Sequence, residues 1–118
     1  MNFIFDIDRP IYIQLVEQLK IHIISGMIMP GERLPSVREL ALKLKVNPNT
    51  MQKALSELEN LGLIYTERTN GKFVSDDKKK IEKFRLEYAK CKTKKYINDI
   101  KSLGLSMEDM INLIREME

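Results

Sequence analysis

Apolar residues recur along this chain first at helical spacing, then at strand spacing, then at helical spacing again. Tyr12, Leu15, Val16, Leu19 and Ile23 fall three or four residues apart and predict a helix over 10–25 with one buried face. Pro10 suits the first helical position, where its missing N–H has no partner in any case, and Gly26 ends the helix. Met29-Pro30-Gly31 predicts a turn. Val37, Leu40, Ala41 and Leu44 mark a second, short helix ending near Leu44 or Lys45, with Ser36 and Glu39 spaced as a capping box. A third helix starts at Asn47-Pro48, a good cap followed by a good first residue; Met51, Ala54, Leu55, Leu58 and Leu61 point inward, and Gly62 suits the left-handed position past its end. The period then changes. Leu63 to Glu67 reads as a strand, Lys72 to Ser75 as its return, and Asn70-Gly71 as a two-residue turn with positive φ at both residues.

The charged run Asp76-Asp77-Lys78-Lys79-Lys80 marks a boundary. Beyond it a long helix is expected to run to about Leu103, with Gly104 as its stop and Ser106 capping a last helix that carries Met107, Met110, Ile111, Ile114 and Met117 on one face. The expected fold is mainly α with a small β-hairpin: a winged helix-turn-helix over 1–76, then a two-helix tail over 77–118.

Two short helices, the second followed directly by a hairpin, suit double-stranded DNA. A helix fits the major groove, where each base pair shows a distinct donor and acceptor pattern. Such a helix needs one face to dock and one to read. At about 100° per residue, Asn49, Gln52, Lys53, Ser56 and Asn60 lie opposite Met51, Leu55 and Leu58. Asn and Gln pair with adenine, Lys reaches guanine or phosphate, and the helix N-terminus favours a phosphate. From that helix alone, a solvated amphipathic surface is an equal reading. Asn47 caps the helix whatever else it does, Thr50 has the option of bonding within the first turn, and Arg38 has the option of being an ordinary surface charge.

Several segments taken together resemble the GntR family of bacterial regulators. They are Pro10-Ile11-Tyr12, Ile24-Ser25-Gly26, the run from Pro30 to Ala41 containing Pro35-Ser36-Val37-Arg38-Glu39-Leu40, Val46-Asn47-Pro48-Asn49-Thr50, and Leu58 to Ile64. The likeness spans roughly residues 10–75. The Val-Asn-Pro-Asn-Thr run and the short tail are similar to the YtrA-like subfamily, which carries a two-helix dimerisation tail in place of a large effector domain. What the resemblance implies is a sequence-specific DNA-binding transcriptional regulator, a repressor on a palindromic operator, controlling a nearby transporter operon. It implies DNA contact by Ser36 and Arg38 at the second helix, by Asn47, Asn49, Thr50, Gln52 and Lys53 on the recognition helix, and by Arg68, Gly71 and Lys72 at the wing. Where some relatives place arginine second in the recognition helix, this chain has Pro48, which offers a base no donor.

The long helix has no single clean stripe. Ile81, Phe84, Tyr88 and Cys91 form one face, Ala89, Tyr96, Ile100 and Leu103 another about a quarter turn away, and Lys79, Lys83, Lys90, Lys94 and Lys101 lie opposite. So wide an apolar surface, added to that of the last helix, exceeds what one small chain buries. A homodimer is therefore expected through Ile81, Phe84, Tyr88, Tyr96, Ile100, Leu103, Met107, Met110, Ile111 and Ile114. A monomeric helical hairpin is the plainer alternative. Two linked copies reading both halves of a palindrome gain avidity.

Composition adds mainly exclusions. Among 118 residues, 43% are hydrophobic, as in an ordinary folded chain, and Trp is absent, so the core rests on Ile, Leu, Val and Met. The net charge of +3 is a weak pointer to an anionic partner. Charges balance over 1–76; the basic excess lies between Lys78 and Lys101. One His, His22, and one Cys, Cys91, rule out a His/Cys metal cluster and an internal disulfide. His22 reads as a structural or surface residue and Cys91 as a buried small hydrophobe. With no phosphate-cradling glycine loop and no paired catalytic groups, neither a cofactor nor an enzyme is expected. No signal peptide and no membrane span are read, so the expectation is cytoplasmic. A small-molecule effector stays open as a partner, with room for at most a small pocket between helices. The competing reading, a winged-helix module that binds protein, calls for an apolar or acidic reading face; this one is polar and carries Lys53.

Overall fold

Helix α1 (Ile11–Ile24) places Leu15, Leu19, Ile23 and Ile24 in the core, while Tyr12 and Val16 are half-buried. The computed structural model describes residues 3–118; Met1 and Asn2, which the sequence put in the first domain, lie outside the described residues. Pro10 occupies the cap position, one residue before that expected of it: its ψ of 134° is extended, and its carbonyl accepts the bond from the Gln14 amide that opens the helix. A proline serves in either place, because neither needs its N–H.

The patterning did not mark Gln14, which is only 2% exposed. Its Oε1 accepts from the Asp6 amide at 2.6 Å, and its Nε2 donates to the carbonyls of Asp6 and Arg9, both at 2.8 Å. With both ends of the amide satisfied, burial carries no orphan penalty, and the chain ahead of α1 is stapled to it. His22 is half-buried, its Nδ1 2.9 Å from the Gln18 carbonyl and its ring 4.9 Å from that of Phe3.

Helix α2 (Val37–Leu44) is capped by Ser36, whose hydroxyl accepts from the Glu39 amide at 3.1 Å. Only this half of the expected capping box forms; in α5, by contrast, both halves do. Lys45 ends α2 in the left-handed region at φ 57°, the one non-glycine residue with positive φ among those described. Helix α3 (Pro48–Asn60) follows, with Asn47 as cap and Pro48 as first residue as expected. Met51, Ala54, Leu55 and Leu58 are fully buried, and α3 packs on both α1 and α2.

Strands β1 (Ile64–Glu67) and β2 (Gly71–Val74) pair antiparallel, with Ile64 opposite Val74 and Glu67 opposite Gly71. The turn differs from the expected one. Gly71 has φ 98° but Asn70 has no positive φ, and the Asn70 amide donates to the Glu67 carbonyl. The loop is therefore Arg68–Asn70, a turn closed by a left-handed glycine, which spares Asn70 the conformation only glycine adopts freely. A further edge was invisible to patterning. Arg33 bridges Phe73; the Gly31 and Leu34 amides donate to the carbonyls of Val74 and Lys72, and the Val74 amide donates to that of Glu32. The segment joining α1 to α2 thus forms a third row beside β2.

The chain divides into two compact units, the first reaching Glu82 and the second running Lys83–Glu118. Helix α4 (Lys78–Lys101) starts inside the first, where Ile81 is buried and the Lys80 side chain lies over the Cα of Gly62 just past α3. The second holds the rest of α4 and α5 (Met107–Glu116), whose Ser106 and Asp109 cap each other reciprocally. Within it Met110 is the only buried residue. Cys91 is exposed rather than buried, because the broad apolar surface of α4 finds no cover at that level in one chain. No helix among the described residues is long and apolar enough to cross a membrane.

Candidate nucleic-acid interface

The docking side of α3 is fixed by Met51, Leu55 and Leu58, all at 0% exposure, so the opposite side faces out. Asn47, Asn49, Gln52 and Lys53 are exposed there and Thr50 is half-buried. The Asn47 carboxamide is engaged locally: its Oδ1 accepts from the Asn49 amide at 2.7 Å, leaving its Nδ2 side available. Gln52 Nε2 lies 3.3 Å from Ser56 Oγ, a weak lateral bond that a base edge can replace. No acidic residue stands in the first turn of α3, so the positive end of its dipole is not offset.

On α2, Arg38 is exposed in the first turn, and the hydroxyl of Ser36 is occupied by its capping bond. Arg38, Ala41, Leu42, Lys45, Val46 and Pro48 border an open, mostly apolar recess of about 430 Å³ between α2 and the start of α3. Arg38 and the outward side of α3 therefore frame one surface, polar at its reading edge.

At the hairpin the expected residues separate. Arg68 is exposed in the loop, and Gly71 takes a backbone geometry suited to glycine. Lys72 turns the other way. Its Nζ is 2.9 Å from Thr66 Oγ1 and 3.7 Å from a Glu59 carboxylate oxygen, to which the Thr66 hydroxyl also donates. This cluster ties the hairpin to the last turn of α3. The residue that sequence reasoning missed at this end is Arg33: its Nε and Nη2 lie 3.5 and 3.6 Å from where a Cβ on Gly71 would stand. Its place within Pro30-Gly31-Glu32-Arg33 gave no local sign of pairing with a strand forty residues on.

Of the residues expected at a dimer face, Ile81 is buried in the first unit and Met110 in the second. Phe84, Tyr88 and Ile100 are partly covered, whereas Tyr96, Leu103, Met107, Ile111 and Ile114 are exposed. Leu86, Ala89, Thr93 and Ile97 line a shallow groove of about 360 Å³ along α4.

Residues 11–74 match the family described as Bacterial regulatory proteins, gntR family. The chain is 34% identical over 111 residues to the HTH-type transcriptional regulator YhcF of Bacillus subtilis (strain 168), covering 94% of this chain and 92% of that one. It is 38% identical over 109 residues to the HTH-type transcriptional repressor YtrA of the same organism, covering 92% and 84%. A solved GntR family transcriptional regulator from Listeria monocytogenes superposes with a TM-score of 0.91 at 41% identity, over 97% of this chain and 100% of that one.

Proposed function

Because the chain belongs to the gntR family of bacterial regulatory proteins and is a helix-turn-helix DNA-binding transcriptional regulator rather than an enzyme, we propose that it acts as a repressor, binding a palindromic operator as a homodimer. The observation that carries this reading is α3 itself, with Asn49, Gln52 and Lys53 exposed opposite a fully buried Met51, Leu55 and Leu58. Asn49 and Gln52 are the base readers, Lys53 reads or holds phosphate, and Arg38 anchors the backbone. At the wing, Arg68 and Gly71 stay in the interface, while Lys72 acts by holding the hairpin in place.

The homodimer rests on the second unit. Leu103 is 71% exposed, Ile114 53% and Met117 83%, and a shallow groove lined by Leu86, Ala89 and Ile97 runs along α4. A second copy of that unit is the proposed cover. Likeness to a relative named as a repressor supports the sign of regulation. The transporter-operon target is carried over from the resemblance alone. A small effector, if the regulator uses one, has a recess of about 270 Å³ between His22, Ile28, Glu32 and Lys43 available to it.

The test is a fluorescence-anisotropy titration of the full chain against duplexes it selects from a randomised pool, with sedimentation of the same sample. The expected result is a palindromic site bound by a dimer at moderate salt. No sequence preference, or a monomer on a single half-site, overturns the proposal. Arg38→Ala is expected to weaken all duplexes alike, by roughly tenfold, whereas Asn49→Ala or Gln52→Ala re-ranks them.

A further inference from the structure

The hairpin shows a mismatch between where charge is expected and where it is free. Lys72 is the cation next to Gly71 on β2, yet its ammonium is directed at Thr66 and Glu59 on the α3 side. Strand alternation explains this: Thr66 and Lys72 form a cross-strand pair on the same side as buried Ile64 and Val74. Tyr65 and Phe73 occupy the other side, stacked with centroids 5.6 Å apart, and Glu67 pairs with Gly71 at its end. The backbone of Arg33 is bridged to Phe73, which puts Arg33 beside that outer row, with its guanidinium reaching back along it to Gly71.

Three features make Arg33 unlike an ordinary surface arginine. Its backbone is held in the third row by bonds on either side, from Gly31 and Leu34 to β2. Its guanidinium lies against a glycine whose φ of 98° disfavours any side chain there. No hydrogen bond or ion pair engages that guanidinium among the described residues. A positioned, exposed guanidinium with its donors unused, at the end of an element that follows a recognition helix, is chemistry for the electronegative edge of a duplex.

We propose that Arg33 is a DNA-contacting residue of the wing, and that it, rather than Lys72, supplies the cation beside Gly71. The proposal rests on the DNA-binding reading above. Its ligand is the stretch of duplex flanking the bases read by α3, reached at a phosphate or at the minor-groove edge.

The experiment uses the full chain and the duplex selected by the wild type from a randomised pool, titrated at several salt concentrations. Wild-type binding comes first: its absence sinks the DNA-binding reading itself and is thereby distinguished from failure of the Arg33 assignment. Given binding, Arg33→Ala is expected to weaken affinity about tenfold and to reduce the slope of log K against log salt by about one. Lys72→Ala should cost less than about threefold, and Arg33→Lys should restore the salt slope with part of the affinity. Unchanged affinity of Arg33→Ala, or an equal loss in Lys72→Ala, overturns the proposal. Matching melting curves for wild type and Arg33→Ala show that the loss is not one of folding. Replacing flanking guanines by inosine removes the minor-groove amino group and leaves the phosphates alone. A wild-type preference for the inosine duplex that Arg33→Ala lacks assigns the contact to the groove edge; a shared indifference assigns it to phosphate.

Discussion

In the first unit the inward faces of α1, α2 and α3 are covered, and Leu15, Leu40, Leu55 and Leu58 all stand at 0% exposure, while Leu42 on the outward side of α2 stands at 74%. In the second, Met110 at 1% is the only buried residue, while Leu103 stands at 71% and Met117 at 83%. Each unit contains an amphipathic helix with a side-chain cap, α3 behind Asn47 and α5 behind Ser106, so local helix chemistry does not separate them. What separates them is closure: α3 packs on α1, α2 and β1, whereas the tail leaves Leu103, Ile111, Ile114 and Met117 exposed around a single buried Met110. The first closes a core of its own; the second does not.

The largest expected effects probe that contrast directly. Leu55→Ala should lower the stability of the first unit by about 2–5 kcal/mol, measured by urea or thermal unfolding, because the neighbours of a fully buried leucine relax only partly into the void it leaves. Ile114→Asp should leave the unfolding of the first unit unchanged and shift sedimentation from dimer to monomer, with operator affinity falling at least about a hundredfold as avidity is lost. If Ile114→Asp sediments as a dimer, the interface is elsewhere. If it destabilises the first unit as much as Leu55→Ala does, the two units are not separable in the way their burial indicates.

A smaller effect tests how finished the first unit is. Lys45 holds a left-handed conformation that costs an L-residue about 1–2 kcal/mol relative to its preferred wells. Lys45→Gly removes that strain but adds backbone entropy to the unfolded chain, so the net gain should be at most about 1 kcal/mol in melting experiments. A loss of stability would mean that the Lys45 side chain contributes more than its backbone costs.

The smallest effect lies in the tail. Accepting bonds from the Ser106 amide and hydroxyl holds the Asp109 carboxyl below its ordinary value of 3.8. A lowered folded value means the stabilisation is complete above the ordinary value and is lost as pH falls through the lowered one. The protection of amides at the start of α5, taken relative to their intrinsic exchange rates, should fall only in that acidic window, and Asp109→Asn should flatten the dependence. A fall in protection already near neutral pH would sink this account.

Legibility in the sequence followed the range of the interactions. The start of α3 was readable because Asn47, Pro48 and the apolar spacing act within one turn, and the helix-turn-helix and hairpin order followed from similar local signs. Cys91 was misplaced because the stripe it shares with Tyr88 shows that a face is apolar, not whether anything covers it. Gln14, the row formed by 31–34 and the turning of Lys72 toward Glu59 were all missed for one reason: each depends on a partner the local pattern does not contain. At the candidate interface, Asn49, Gln52 and Lys53 are exposed on the face where patterning put them, whereas the place of Arg33 beside Gly71 had to be read from a strand pairing.

The bonds from Lys72 to Thr66 and toward Glu59, with the third row beside β2, also bear on rates. Each alone is weak, and the exposed ion pair is worth under about 1 kcal/mol. Together they keep the hairpin formed in advance, so the proposed wing contact would cost little ordering entropy at encounter. Association should then run near the rate set by diffusion and electrostatic steering. Differences among operators would appear mainly in how long the complex lasts.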